Sequence, residues 1–303
     1  MPTTFTDDLR LAHVLADDAD SLTSSRFKAL DLHVMDKPDL TPVTDADTSV
    51  EENIRRALSR ARPRDAVLGE EQGVTGHSQR RWVVDPIDGT KNFVRGVPVW
   101  ATLIALVVDE EVVVGVVSAP MLNRRWWAAK GSGAWTGRSL FSATECRVSD
   151  VARLEDASLS YSSLSGWEDR DRLEDFLALS RRCWRTRAYG DFWSYMLVAE
   201  GAVDLAAEPE LAVYDMAALD VIVREAGGTF TSLDGTPGPL GGNALASNGR
   251  LHEQALAFLG SLADDDEDPD VPQRRSGSVH DLSARRRSPL TVPSADPGPV
   301  DLD

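Results

Sequence analysis

Apolar positions along this chain follow two rhythms. Over residues 6–30, Leu11, Leu15, Ala19 and Leu22 share one face at helical spacing, while Asp17, Asp18 and Asp20 fall mostly elsewhere. That spacing predicts an amphipathic helix. Lys37-Pro38-Asp39 and Thr41-Pro42 then break the pattern into a loop or short strands. A second helix follows, with Val50, Ile54 and Leu58 at i, i+4 and i+8 and with Asp45 or Asp47 as its N-cap. Short apolar runs take over at 67–69, 82–84, 100–108, 112–117 and 126–129, and they read as buried strands. Asp109-Glu110-Glu111 joins two of them as a hairpin. Pro86 has no N–H to donate, so the strand at 82–84 is expected to leave the ladder there. Gly131-Ser132-Gly133 reads as a turn before Ala134-Trp135 and lacks the later glycine of a dinucleotide-binding fingerprint.

From residue 157 the two rhythms alternate. Strands are predicted at 157–161, 183–189, 203–207, 229–232 and 244–247. Helices are predicted at 170–182, at 191–200 (opened by Gly190-Asp191 and closed by Gly201), at 215–226 (closed by Gly227-Gly228), and at 250–263. The fold class is therefore α/β (α+β). Residues 1–263 are expected to form the folded domain, as two closely packed halves of about 1–155 and 156–263. From Asp264 the composition collapses into an acidic run followed by Arg, Ser and Pro. Such a segment buries too little apolar surface to offset its chain entropy, so residues 264–303 read as a disordered tail.

Composition narrows the function. With 303 residues, 42% hydrophobic and 27% charged, the chain is an ordinary globular one with a sizeable core. A net charge of −17 argues against nucleic acid or an anionic membrane as partner and leaves a small molecule. Cys146 and Cys183 show no CxxC spacing, no apolar run approaches the ~18 residues of a membrane span, and the N-terminus lacks the pattern of a signal peptide. A reduced, cytoplasmic protein is expected.

The candidate chemistry lies where strands end on acids. Trp82-Val83-Val84 runs into Asp85-Pro86-Ile87-Asp88-Gly89-Thr90, a proline- and glycine-held turn that can aim two carboxylates at one point. Gly89 permits close backbone approach to a ligand, and Thr90 offers a hydroxyl. Asp-Pro and Asp-Gly also make plain turns, and Asp215 serves equally as a helix cap. Yet Glu70, Asp85, Asp88 and Asp215 all sit beside glycine or proline or at an element boundary. Four carboxylates suit a hard divalent cation such as Mg²⁺, set against the anion of a phosphate ester. The five histidines form no cluster, and no GxSxG or Cys–His pattern offers a nucleophile. A metal-activated water acting on a phosphoryl group remains. A non-catalytic protein that binds RNA or another protein is the rival class; it has no need of four acids kept together.

Three blocks carry a resemblance: Gly69-Glu70-Glu71, the run from Asp85 to Phe93, and Tyr214-Asp215-Met216-Ala217-Ala218 with Glu225-Ala226-Gly227-Gly228. In this order they resemble the inositol monophosphatase family, over about residues 5–262. The resemblance implies a layered α/β/α/β/α sandwich of the inositol monophosphatase and fructose-1,6-bisphosphatase type, two or three Mg²⁺ ions, lithium sensitivity and a homodimer. It implies that Glu70, Asp85, the carbonyl of Ile87, Asp88 and Asp215 are metal ligands. It makes Asp88, Gly89 and Thr90 the phosphate-binding turn, and it has Asp47, Glu70 and Thr90 activate the attacking water. Asp191 and Glu208, with Arg187 and Asn248, match contacts to the organic part of the substrate. Lys91 and Tyr214 replace a common threonine and tryptophan, neither at a ligand position. The runs 93–101 and 187–192 resemble the family's actinobacterial histidinol-phosphatase branch, which implies L-histidinol phosphate as the small-molecule ester. Inositol phosphate, a sugar bisphosphate and a phosphoadenosine nucleotide are the alternatives.

Overall fold

The computed structural model describes residues 5–37, 41–138 and 142–260. In its first part the chain runs α1 (Thr6–Arg26), β1 (Val34–Asp36), β2 (Pro42–Thr44), α2 (Asp45–Ala61), β3 (Ala66–Gly69), β4 (Gly73–Thr75), β5 (Arg80–Asp88), α3 (Thr90–Arg95), β6 (Ala101–Val108), β7 (Glu111–Ala119), β8 (Arg124–Ala129), β9 (Ala134–Gly137) and β10 (Ala143–Glu145). There follow β11 (Ser158–Ser160), α4 (Leu164–Glu168), α5 (Leu173–Arg182), β12 (Arg185–Arg187), α6 (Asp191–Ala199), β13 (Leu205–Glu208), α7 (Val213–Glu225), β14 (Thr229–Thr231), β15 (Ala244–Ser247) and α8 (His252–Leu259).

Strands β3 to β10 form one sheet in the order β10-β9-β8-β7-β6-β5-β3-β4, antiparallel except for the β3–β5 pair. A second sheet has the order β12-β11-β13-β15-β14. Side chains alternate across each strand, and the two faces of each sheet acquire different partners. Trp82, Val84, Ile104 and Leu106 meet Leu15 of α1 and Val50, Ile54 and Leu58 of α2. Val83, Leu103 and Trp126 on the other face meet Phe192 and Met196 of α6 and Val221 and Ile222 of α7. The same helices cover Ala206, Ala244, Ala246 and Phe230 of the second sheet. Its last face, with Leu159, Leu205 and Leu245, packs on Trp167, Phe176 and Leu259 of α4, α5 and α8. The order of layers is α/β/α/β/α, as the resemblance implies.

Residues Met1–Leu262 belong to one compact unit. The stretch 264–303, expected to be disordered, lies outside the described residues. Among the described residues no helix is long and apolar enough to cross a membrane.

Three local expectations are corrected. Strand β5 does not stop before Pro86. It continues to Asp88 through a register shift against β6, and the Pro86 carbonyl still accepts a bond from the Thr102 hydroxyl at 2.8 Å. A bulge absorbs the missing donor while the acceptor stays in use. Helix α2 is capped by Thr44, not by Asp45 or Asp47. The Thr44 hydroxyl accepts the Ala46 N–H, and Asp47, three residues in, accepts the Thr44 N–H at 2.8 Å. Asp215 likewise stands inside α7, where its Oδ2 accepts the Ala212 N–H at 2.7 Å.

Candidate active site

Strand pairing begins the site. Because β3 and β5 are parallel with Gly69 opposite Val84, the residue after each strand end falls beside the other. Glu70 donates its N–H to the Val84 carbonyl at 3.2 Å and so lies level with Asp85. The start of α7 brings Asp215 to the same place. One carboxylate oxygen from each of Asp85, Asp88 and Asp215 lies within 4.8 Å of the others.

Each of these three acids is aimed by a backbone amide. Asp85 Oδ1 accepts the Ile87 N–H at 2.9 Å, Asp88 Oδ2 the Phe192 N–H at 2.7 Å, and Asp215 Oδ2 the Ala212 N–H at 2.7 Å. Crowding and burial make the anions costly. Burial raises the Asp85 carboxyl well above the usual range, and Glu70, Asp88 and Asp215 push it further. Burial also raises Asp88, with Asp191 and Asp215 adding to it. Asp215 is pushed up to about 7, chiefly by burial and against the Ala212 N–H. Carboxylates held this way lack positive charge, and the donor set is all oxygen. The residues present fit hard divalent cations.

Beside them stands a second group. Asp47 is fully buried, and its Oδ2 accepts both the N–H and the hydroxyl of Thr44. Burial brings it up to about 6, against the pull of the Thr44 bonds. Its Oδ1 lies 3.4 Å from the Thr90 hydroxyl, which donates to the Ile87 carbonyl at 2.9 Å. Gly89 turns the chain at φ 85°, where a side chain would press on the Val99 carbonyl and Asp191.

The acids matched to the organic part of the substrate come from two further elements. Asp191 opens α6 at φ 48°, a left-handed conformation strained for a side-chain residue, and its N–H is held by the Ser162 hydroxyl at 2.9 Å. Its Oδ2 accepts the Asn92 amide at 3.0 Å. Burial raises its carboxyl while Lys91 opposes the rise. Glu208 ends β13 with Oε1 buried and without a hydrogen-bond partner. Burial outweighs its bonds to Ser162 and lifts it to about 8.

Of the two further expected contacts, Asn248 is not brought into this group. Asn248 lies at the other end of the second sheet. β13 and β15 are antiparallel with Glu208 opposite Ala244 and Leu205 opposite Ser247, so the residue after Ser247 is a strand length from Glu208. Its amide donates to the Ser149 hydroxyl and the Val151 carbonyl, and its oxygen accepts the Arg250 and Leu251 N–H groups. It shapes the turn before α8. Arg187 ends β12 exposed, with its guanidinium on the Thr186 carbonyl of its own strand.

The model of the inositol monophosphatase family matches residues 8–262. The chain belongs to this family. Among curated members, it is 67% identical over 259 residues to the histidinol-phosphatase of Streptomyces coelicolor, covering 84% of this chain and 97% of that one. Its identity to the histidinol-phosphatase of Mycobacterium tuberculosis is 61% over 254 residues, with 84% and 98% covered. Among solved family folds, an inositol monophosphatase from Zymomonas mobilis superposes with a TM-score of 0.75 at 33% identity, covering 85% of this chain and 99% of that one. One from Thermotoga maritima gives 0.74 at 30%, with 84% and 96% covered.

For this family member, sequence reasoning missed several residues that shape the site. Lys37 places Nζ 2.6 Å from Glu70 Oε1 and 2.8 Å from Glu71 Oε1. Burial alone would lower its pKa, but the two carboxylates outweigh that and raise it. Nothing local marks a lysine beside Pro38 as facing acids more than thirty positions away. Asn92 was visible inside the Asp85–Phe93 run, but its bridge from the Val99 carbonyl to Asp191 was not.

Proposed function

We propose that the protein is a Mg²⁺-dependent histidinol-phosphatase, hydrolysing L-histidinol phosphate to L-histidinol and phosphate. The observation that carries the substrate is Glu208: a buried carboxyl with one oxygen unpartnered, close enough to Asp191 to feel its charge. Histidinol carries a primary ammonium, which such a pair of acids favours; inositol carries only hydroxyls. Similarity to the two histidinol-phosphatases supports the same reading.

In this proposal Asp85, Asp88, Asp215, Glu70 and the Ile87 carbonyl hold the Mg²⁺ ions. When bound, these supply charge neutralisation at the phosphoryl oxygens and a water of lowered pKa. The chain's own residues do the rest. Gly89 lets the backbone approach the phosphate. Thr90 orients the attacking water, and Asp47, ionised at neutral pH with its Oδ1 turned to the Thr90 hydroxyl, takes the proton. A homodimer, a cytoplasmic setting and lithium sensitivity complete the proposal. The two thiols, Cys146 and Cys183, are unpaired, which suits a reducing compartment.

The test compares kcat/KM for L-histidinol phosphate and inositol 1-phosphate, in wild type and in the Asp191→Asn, Glu208→Gln double variant. Wild type should favour histidinol phosphate by about 10²-fold, and the double variant should lose most of that preference. A wild type that favours inositol phosphate overturns the proposal. A double variant that keeps the preference leaves the substrate standing and removes the role given to the two acids.

A further inference from the structure

We propose that Glu51 is a positioning residue that sets the divalent-cation affinity of the site by holding the turn that carries Glu70. The inference rests on the reading of Glu70 as a metal ligand. Glu51 lies on α2 one helical turn beyond Asp47, and the side chain is fully buried. Its Oε2 accepts the Glu71 N–H at 2.7 Å, and its Oε1 accepts the Gln72 N–H at 3.0 Å and Arg55 Nε at 2.7 Å. Arg55 then reaches the far side of the hairpin, donating to the Gly73 carbonyl at 2.5 Å and to the Thr75 hydroxyl at 2.7 Å. One ion pair thus spans the connection from β3 to β4, and Glu70 is the residue just before the clamped amides.

The fit is close enough to dictate the neighbouring residue. A Cβ at position 69 would fall 2.3 Å from the Glu51 carboxyl carbon and Oε1 and 2.5 Å from Oε2. Gly69 is not in a left-handed conformation. Its lack of a side chain makes room for the carboxylate. A buried charge is retained only when its bonds are complete, and here every bond but that to Arg55 goes to the Glu70-bearing turn. Helix α2 therefore supplies Asp47 directly and Glu70 through Glu51, which locks the two acids in one frame. Groups that orient a metal's ligands commonly change affinity by about 10- to 100-fold when removed.

The experiment titrates Mg²⁺ alone, by calorimetry, into the metal-free full-length protein, without substrate. Glu51→Gln keeps the shape but turns an NH₂ toward a donor, and Gly69→Ala drives a methyl into the carboxylate from the other side. Each should raise the Kd for Mg²⁺ by at least about 10-fold, with KM for the phosphate ester little changed once Mg²⁺ saturates. Leu58→Ala, in the apolar face of the same helix, is the control; it should lower the thermal midpoint and leave the Kd unchanged. If Glu51→Gln fails to fold, Gly69→Ala and Arg55→Lys carry the measurement. Folded variants with a Kd within about twofold of a Mg²⁺-binding wild type overturn the clamp alone. A wild type that binds no Mg²⁺ overturns the reading of the site, and the clamp with it.

Discussion

Asp215→Asn should make the metal-free protein more stable and the enzyme nearly inactive. The folded chain holds the Asp215 proton to about pH 7, whereas an unperturbed aspartate releases it near 3.8. Between those values the folded state binds more protons than the unfolded one, so stability falls as pH rises. The penalty is absent below about 3.8 and complete above about 7. Its ceiling is ~4 kcal/mol. Asp85 and Asp88 share the same field and take up part of the proton, so we expect roughly 2 kcal/mol to be recovered at pH 8. The amide keeps an oxygen for the Ala212 N–H, so the substitution removes charge without breaking that bond. Urea unfolding of EDTA-treated protein from pH 4 to 8.5 measures it. The variant should exceed wild type at pH 8, by about 4–8 °C in thermal midpoint, and match it near pH 4. Saturating Mg²⁺ should reverse the order, because wild type gains more from binding, and turnover should fall about 10²-fold or more. A metal-free variant less stable than wild type at pH 8, or a difference that ignores pH, would refute the reasoning.

Asp88→Asn, which likewise keeps an oxygen for the Phe192 N–H, should lower turnover by about 10²-fold; near-normal turnover at saturating Mg²⁺, or full activity in excess EDTA, removes Asp88 from the metal site. A chain ended after Ala263 should keep its activity and its thermal midpoint to within about 5 °C. The described apolar clusters draw on residues no later than Leu259. A larger drop in a melting curve would show that the tail contributes to the fold.

The sequence by itself determined the local elements and the kind of chemistry. Burial imprints a period on each segment, so the helix through Val50, Ile54 and Leu58 and the strand at 82–84 were readable without the fold. The acids at strand ends were readable for the same reason, since a carboxylate interrupting an apolar run stands out. What periodicity does not carry is register. Only the parallel pairing of Gly69 with Val84 puts Glu70 beside Asp85, and only the placement of α7 brings Asp215 to Asp88 across more than a hundred residues. Register also decides against Asn248, because an antiparallel pair sends one strand's start to the other's end. Pro86 shows the same limit at short range: a missing donor was visible, but a bulge that tolerates it depends on the neighbouring strand. Lys37, Glu51 and Asn92 are ordinary polar residues in the sequence, and each acts through a partner at least twenty positions away. Such bonds form only after the chain has brought their ends together, so the tertiary structure alone assigns them.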